Sequence, residues 1–129
     1  MLIVRSVRPS EFEQARDFIK SIFPDAMVQL SEEDTILIAE YGGRAVGFAH
    51  IIDEGDRVLL QGIGTDPSMR GQGVGTILLE YILSEYRDSD MPIYLKVKVM
   101  NPAIDLYSRY GFMVKKFGDV LVLVKKANS

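Results

Sequence analysis

Arg70-Gly71-Gln72-Gly73-Val74-Gly75 sets three glycines on alternate positions, between a β-rich segment ending at Thr65 and an apolar stretch of helical period beginning at Val74. Strand, bare turn and helix in that order restrict the fold to one that mixes sheet and helix. With no side chains at Gly71, Gly73 and Gly75, the backbone N–H groups can close on an anion. The helix start behind them adds unpaired donors and the positive end of the helix dipole. Arg70 adds a formal positive charge, so the expected ligand is a phosphate or pyrophosphate. The competing reading, a tight strand-to-helix turn with no ligand, is not excluded by the loop alone. Two familiar phosphate loops are excluded. The dinucleotide fingerprint requires a third glycine where Thr76 stands, and no Gly-Lys-Ser or Gly-Lys-Thr triplet of a P-loop occurs.

The remaining elements follow from period and punctuation. Leu2 to Val7 reads as a strand. Pro9 and Ser10 open a helix with Ser10 and Glu13 at capping-box spacing, its apolar face carried by Phe12, Ala15, Phe18, Ile19 and Ile22, and Pro24 closes it. Asp25 to Asp34 is expected to be a short helix or a loop. Strands are expected at Thr35 to Tyr41 and Ala45 to Ile52, joined by Gly42-Gly43, a pair suited to a tight hairpin. After the turn Asp53-Glu54-Gly55-Asp56, Arg57 to Thr65 is the next strand, and Val74 to Arg87 the main helix. Ile93 to Val99 is a strand, Asn101-Pro102 starts a short helix ending at Gly111, and Phe112 to Phe117 with Val120 to Lys125 closes the chain as a hairpin around Gly118-Asp119. The order is β-α-(α)-β-β-β-α-β-α-β-β, an α/β (α+β) arrangement with helices on the faces of a mixed sheet.

At 129 residues, residues 1–129 are expected to form one domain. There is no cysteine, which excludes disulfides, thiolate nucleophiles and cysteine metal sites. His50 is the one histidine, so no histidine cluster exists and no metal is expected. A net charge of −3 argues against nucleic acid as a partner. The late basic residues Lys96, Lys98, Lys115, Lys116, Lys125 and Lys126 mostly alternate with apolar ones, as on the solvent face of a strand. The apolar run in Met1-Leu2-Ile3-Val4-Arg5 is too short for a signal peptide, so none is expected, and no run approaches about 20 apolar residues. No membrane association is expected, and the location is expected to be cytoplasmic.

Two motifs together carry a resemblance. Arg70, Gly73 and Gly75 open a helix after the fourth strand, with Asp66-Pro67 upstream. Some thirty residues on come Asn101-Pro102-Ala103, Leu106-Tyr107 and Gly111-Phe112. In both motifs and in strand order across nearly the whole chain, the sequence resembles the GNAT family of N-acetyltransferases. The resemblance implies a mostly antiparallel sheet and acetyl-CoA as cosubstrate. It implies a small-molecule or peptide amine as acceptor, and it is compatible with a homodimer.

By the same resemblance the backbone of Ile63, Gly64 and Thr65 would pair with the pantetheine arm like an added strand. The amides of Gly71, Gln72, Gly73, Val74, Gly75 and Thr76, with Arg70, would hold the pyrophosphate. An amide near Ile63 would face the thioester carbonyl. Tyr107 takes the family's general-acid position, where a phenol of pKa near 10 matches a leaving thiolate; packing against the sheet is its alternative role. Asn101 either caps the short helix or bonds the cofactor arm, and capping is the simpler reading. Gly62 and Gly64, within one strand, mark a bulge or a close backbone approach.

The general base is not legible. Where ribosomal-protein alanine acetyltransferases carry a glutamate, this chain has Lys96, and where other members carry one on the fourth strand it has Gln61. His50, Asp53, Glu54, Asp56 and a water relay remain. The acidic stretches Glu32-Glu33-Asp34 and Asp53-Glu54-Gly55-Asp56 would either attract a cationic amine or be solvated turns. The leading expectation is an N-acetyltransferase acting by direct attack in a ternary complex. The alternative is an acyl-CoA sensor that binds without transferring.

Overall fold

The computed structural model describes residues 1–127. Seven strands, β1 (Leu2–Ser6), β2 (Thr35–Tyr41), β3 (Arg44–Asp53), β4 (Val58–Thr65), β5 (Ile93–Lys98), β6 (Met113–Lys116) and β7 (Val120–Lys125), form one sheet in the order β1-β2-β3-β4-β5-β7-β6. Every pairing is antiparallel except that of β4 with β5. Three helices flank it: α1 (Phe12–Ile22), α2 (Val74–Glu85) and α3 (Ala103–Arg109).

The helices divide between the faces. α2 buries Val74, Leu78, Leu79 and Ile82 against Leu37, Ala49, Ile51 and Leu60, and Tyr107 of α3 joins the same cluster. Each of the buried Val, Leu and Ile side chains contributes roughly 1.5–3 kcal/mol on burial. On the other face Ile19 and Ile22 of α1 pack on Ile38 and Phe48. Cover on both sides explains why Ile36 to Ala39 is buried without a break and reads as a continuous apolar run.

Most expected elements form within a residue or two of their expected ends. Gly42 and Gly43 both take positive φ, 58° and 81°, in the two-residue turn between β2 and β3. One alternative is decided and one expectation is corrected. Of the short helix or loop expected over residues 25–34, the loop forms, as turns and coil with no helix, in keeping with the absence of any apolar period after Pro24. The entry to α1 is secured by Glu11 rather than Glu13: a 3-10 turn over Pro9–Glu11 precedes the helix, and the Glu11 carboxylate accepts the Arg8 N–H at 3.1 Å. Glu11 also takes two bonds from the Arg5 guanidinium, at 3.2 and 3.0 Å, tying β1 to the helix entry. Those bonds hold its carboxyl down at about 2.

The feature that shapes the functional site is where β4 leaves β5. The two strands pair only at Val58, Leu60 and the residue between, against Ile93 to Leu95. Beyond that point Gly62 to Thr65 and Lys96 to Lys98 diverge. At the divergence the β3–β4 register shifts so that His50 opposes Gly62 and Ile51 opposes Leu60, leaving Gln61 as the extra residue of a bulge. A bulge of this kind bends its strand and reverses which residues face which side.

Candidate active site

Tyr107 stands in the gap between the diverging strands. It is buried, packs edge-on to Phe112 with ring centroids 5.8 Å apart, and lines cavities on both sides. The first cavity, about 550 Å³, is bounded by Ile63, Gly64 and Thr65 of β4, by Arg70 and Gly75 of the glycine loop, and by the Asn101 to Leu106 segment. The second, about 510 Å³, lies on the α1 side of the sheet over Phe48, His50, Gln61, Lys96 and Lys98. The two share Phe23, Ile63, Lys98, Asn101 and Tyr107, so a group crossing from one to the other passes the Tyr107 side chain.

The first cavity suits a long polar arm with a phosphate end. Asp66 N–H bonds to Val46 O on β3 at 2.8 Å. By strand alternation the amides of Thr65 and Ile63 therefore point the other way, into the gap, where β5 no longer meets them. At the far end Gly73 caps α2 in the left-handed region, φ 84°, a conformation that glycine adopts without the Cβ clash. The amides of Val74, Gly75 and Thr76 open the helix and have no intrahelical acceptor. Of the residues expected to hold a cofactor, Ile63, Gly64, Thr65, Arg70, Gly75, Asn101 and Tyr107 line this cavity. Gly71, Gln72, Gly73, Val74 and Thr76 do not: the first three form the exposed loop at its mouth, Thr76 is half-buried, and the Val74 side chain is buried in the core, so only its amide is available.

Two site residues have structural duties that the sequence left open. The Asn101 side chain accepts the Ala103 N–H at 2.9 Å, which is the capping role. Gly64 leaves room for rings rather than for a ligand: a Cβ there would lie 2.8 Å from both Phe23 and Phe48. The close approach inferred from Gly62 and Gly64 is thus that of two phenyl rings, themselves packed edge-on at 5.9 Å.

Burial also changes Tyr107. Desolvation pushes its hydroxyl up to about 12, above the value near 10 expected from the sequence. Every fully buried side-chain oxygen and nitrogen among the described residues has a hydrogen-bond partner. The Tyr107 hydroxyl makes no bond to a described residue, so it is open to the cavities it lines.

Among the base candidates, Asp53, Glu54 and Asp56 are absent from both cavities. Asp53 accepts the Gly55 N–H at 2.8 Å within its turn, and Glu54 pairs with Arg57 at 2.9 Å. His50 does face the second cavity. It is the one buried polar side chain among the described residues, and its Nε2 lies 2.8 Å from Asp34 Oδ2. That same Asp34 oxygen accepts the Ser31 N–H at 3.2 Å. An ionised carboxylate only accepts, which assigns a proton to Nε2; in the neutral imidazole the lone pair is then on Nδ1. No other bond to His50 forms among the described residues, and no buried polar atom is left without a partner, so Nδ1 opens to the cavity. Sequence reasoning named His50 but missed its partner, because the residues meet through a turn that carries no period. Lys98 and Phe23, common to both cavities, were missed as site residues too; the Lys96-x-Lys98 alternation on β5 was the available signal for the first. Among the described residues no group of three or more acidic or histidine side chains is gathered to hold a metal ion.

A splayed mixed sheet, a glycine loop opening a helix at one end of the split and a tyrosine beside both cavities agree with the resemblance carried by the two sequence motifs. The family model described as Acetyltransferase (GNAT) family matches residues 4–112, and the chain belongs to that family. Solved structures agree on the fold. The chain is similar to the ribosomal-protein-S18-alanine N-acetyltransferase from Escherichia coli, at TM-score 0.84 and 20% identity over 100% of this chain and 96% of that one. It is similar to the PaiA N-acetyltransferase from Thermoplasma acidophilum in complex with coenzyme A, at TM-score 0.76 and 16% identity over 98% and 99%. It also resembles Arabidopsis thaliana Naa50 in complex with the bisubstrate analogue CoA-Ac-MVNAL, at TM-score 0.77 and 22% identity over 97% and 98%. No curated protein matches the chain at significant sequence similarity.

Proposed function

We propose that the protein transfers an acetyl group from acetyl-CoA to an amine, by direct attack in a ternary complex. The observation that carries this reading is the shared wall. Two cavities meet at Ile63 and Tyr107, one suited to the cofactor arm and the other open to an acceptor. Acetyl-CoA supplies the acetyl group as an activated thioester. The Ile63 and Thr65 amides would bond the pantetheine arm, and Arg70 with the loop amides from Gly71 to Thr76 would hold the pyrophosphate. His50 Nδ1 would take the proton released by the amine as its nitrogen bonds the acetyl carbon, with Asp34 fixing the tautomer. The Tyr107 hydroxyl would supply a proton to sulfur as the carbon–sulfur bond breaks. Naa50, solved with a peptide-like bisubstrate analogue, supports an amine on a peptide as acceptor.

The test is binding followed by turnover. Acetyl-CoA at 100 times its Kd is expected to stabilise the protein by about 2.7 kcal/mol through linkage, read as a rise in Tm. A panel of amines and peptides should then release free thiol. Stabilisation by NAD or ATP but not by CoA would overturn the reading, and tight CoA binding with no transfer to any amine would mark a sensor instead.

A further inference from the structure

The acceptor cavity has an uneven charge. Among the described residues lining it are two lysines, Lys96 and Lys98, and no aspartate or glutamate. The carboxylate of Asp34, which bonds the lining His50, is committed to that ring and to the Ser31 amide. This is a departure for a chain whose net charge is −3. The two acidic stretches that would attract a cationic amine contribute no side chain to the cavity wall.

The positive character continues beyond the cavity. Lys96 pairs with Val122 on β7, and Val122 pairs with Lys116 on β6. Directly opposed residues share a face, so Lys96, Val122 and Lys116 form one row across three strands, roughly 10 Å long at the usual strand spacing. Leu95, Val97, Leu121 and Leu123 are buried in the α2 cluster, which puts the lysine row on the opposite, cavity side. Lys115 lies on the same face, its Nζ donating to the Tyr94 hydroxyl at 2.7 Å. Lys96, Lys98, Lys115 and Lys116 are all exposed. Lys96, Lys98 and Lys116 form no ion pair among the described residues.

We propose that the acceptor is a polypeptide N-terminus whose first residues are acidic, its amine reaching into the cavity and its carboxylates lying along the row from Lys96 to Lys116. The inference rests on the acetyltransfer reading above and names its substrate class. The cavity end of the row meets the residues nearest the amine, and the β6 end meets those further along. A cationic acceptor such as a polyamine meets like charge at both.

Bisubstrate conjugates test this without requiring turnover. CoA is joined through an acetyl bridge to the amine of three probes: a peptide amide of alanine followed by three glutamates, the same peptide with three lysines, and a single glutamate. Each affinity is measured at low salt against free CoA, which reads the proposed function by itself. The glutamate peptide is expected to bind about tenfold tighter than the lysine peptide, as a few partly solvated charge pairs allow, and the preference is expected to shrink in high salt. Lys96→Glu should reverse it. Lys116→Glu should weaken the glutamate peptide conjugate while leaving free CoA and the single-glutamate conjugate as they were. Tight CoA binding with equal affinity for both peptides, or with preference for lysine, overturns the inference and leaves the acetyltransfer reading standing. A single-glutamate conjugate that matches the peptide, with no response to Lys116→Glu, overturns the polypeptide acceptor. Failure of free CoA to bind rejects both.

Discussion

Tyr107 is held by burial in a state that suits a donor. Its hydroxyl, pushed up to about 12, stays protonated throughout the physiological range, as the proposed role of proton donor to sulfur requires. Tyr107→Phe should keep the fold and CoA affinity, and lower turnover roughly 10²–10⁴-fold with the loss in kcat. A rate within about threefold of wild type would remove the phenol from the mechanism. The same burial has a second signature. Unfolded tyrosine ionises near 10 and this one near 12, so its contribution to stability is complete below pH 10 and is lost as pH rises through 12. The wild type should lose on the order of 2 kcal/mol more than Tyr107→Phe across that window, measured by chemical denaturation. His50→Gln is expected to retain a bond to Asp34 and near-native Tm, and to lower kcat roughly 10²–10⁴-fold with little change in CoA affinity; an unchanged kcat would leave water as the base. Tyr107 and Asn101 were legible because each sits at a fixed offset within a short helical motif. The Asp34–His50 contact was not, since it joins a turn to a strand through tertiary folding alone.

At the scale of elements, the proposed function gives the glycine loop two jobs in one turn. Gly73 takes the left-handed cap of α2, and nothing lies within 4 Å of where its Cβ would be. Gly73→Asp therefore meets no steric block, and aspartate tolerates that backbone region better than most residues. The protein should fold with a slightly lower Tm. CoA affinity should fall at least 100-fold, because a carboxylate would stand where the pyrophosphate is expected. Undiminished affinity in the folded variant, measured by calorimetry, would place the phosphates elsewhere. Strand and helix positions were readable from period and turn residues. The β4 bulge at Gln61 was only half readable: the glycines around it announced an irregularity, and whether a ligand or a phenyl ring fills the space depends on Phe23, just past the end of α1, and Phe48 of β3.

For the whole molecule, element order was legible and spatial order was less so. Nothing local to Met113–Lys116 or Val120–Lys125 announces that the last strand inserts between β5 and β6, because strand neighbours are chosen by long-range pairing. The brief β4–β5 ladder lay beyond sequence reasoning for the same reason. If the arm of CoA pairs with the inner edge of β4, the amides of Ile63 and Thr65 should exchange with solvent hydrogen quickly in the free protein and slow at least tenfold when CoA binds, while amides of the β2–β3 ladder change little. Equal protection with and without CoA would count against that pairing. The split has a further consequence, for the life of the protein before it meets its cofactor. Unpaired strand edges ordinarily invite association with other chains, and proteins blunt them with charge, proline or cover. Here two such edges face each other inside one sheet, with Tyr107 between them. A sticky surface is thereby kept permanently available to a narrow, chain-like guest and withheld from a second copy of the protein.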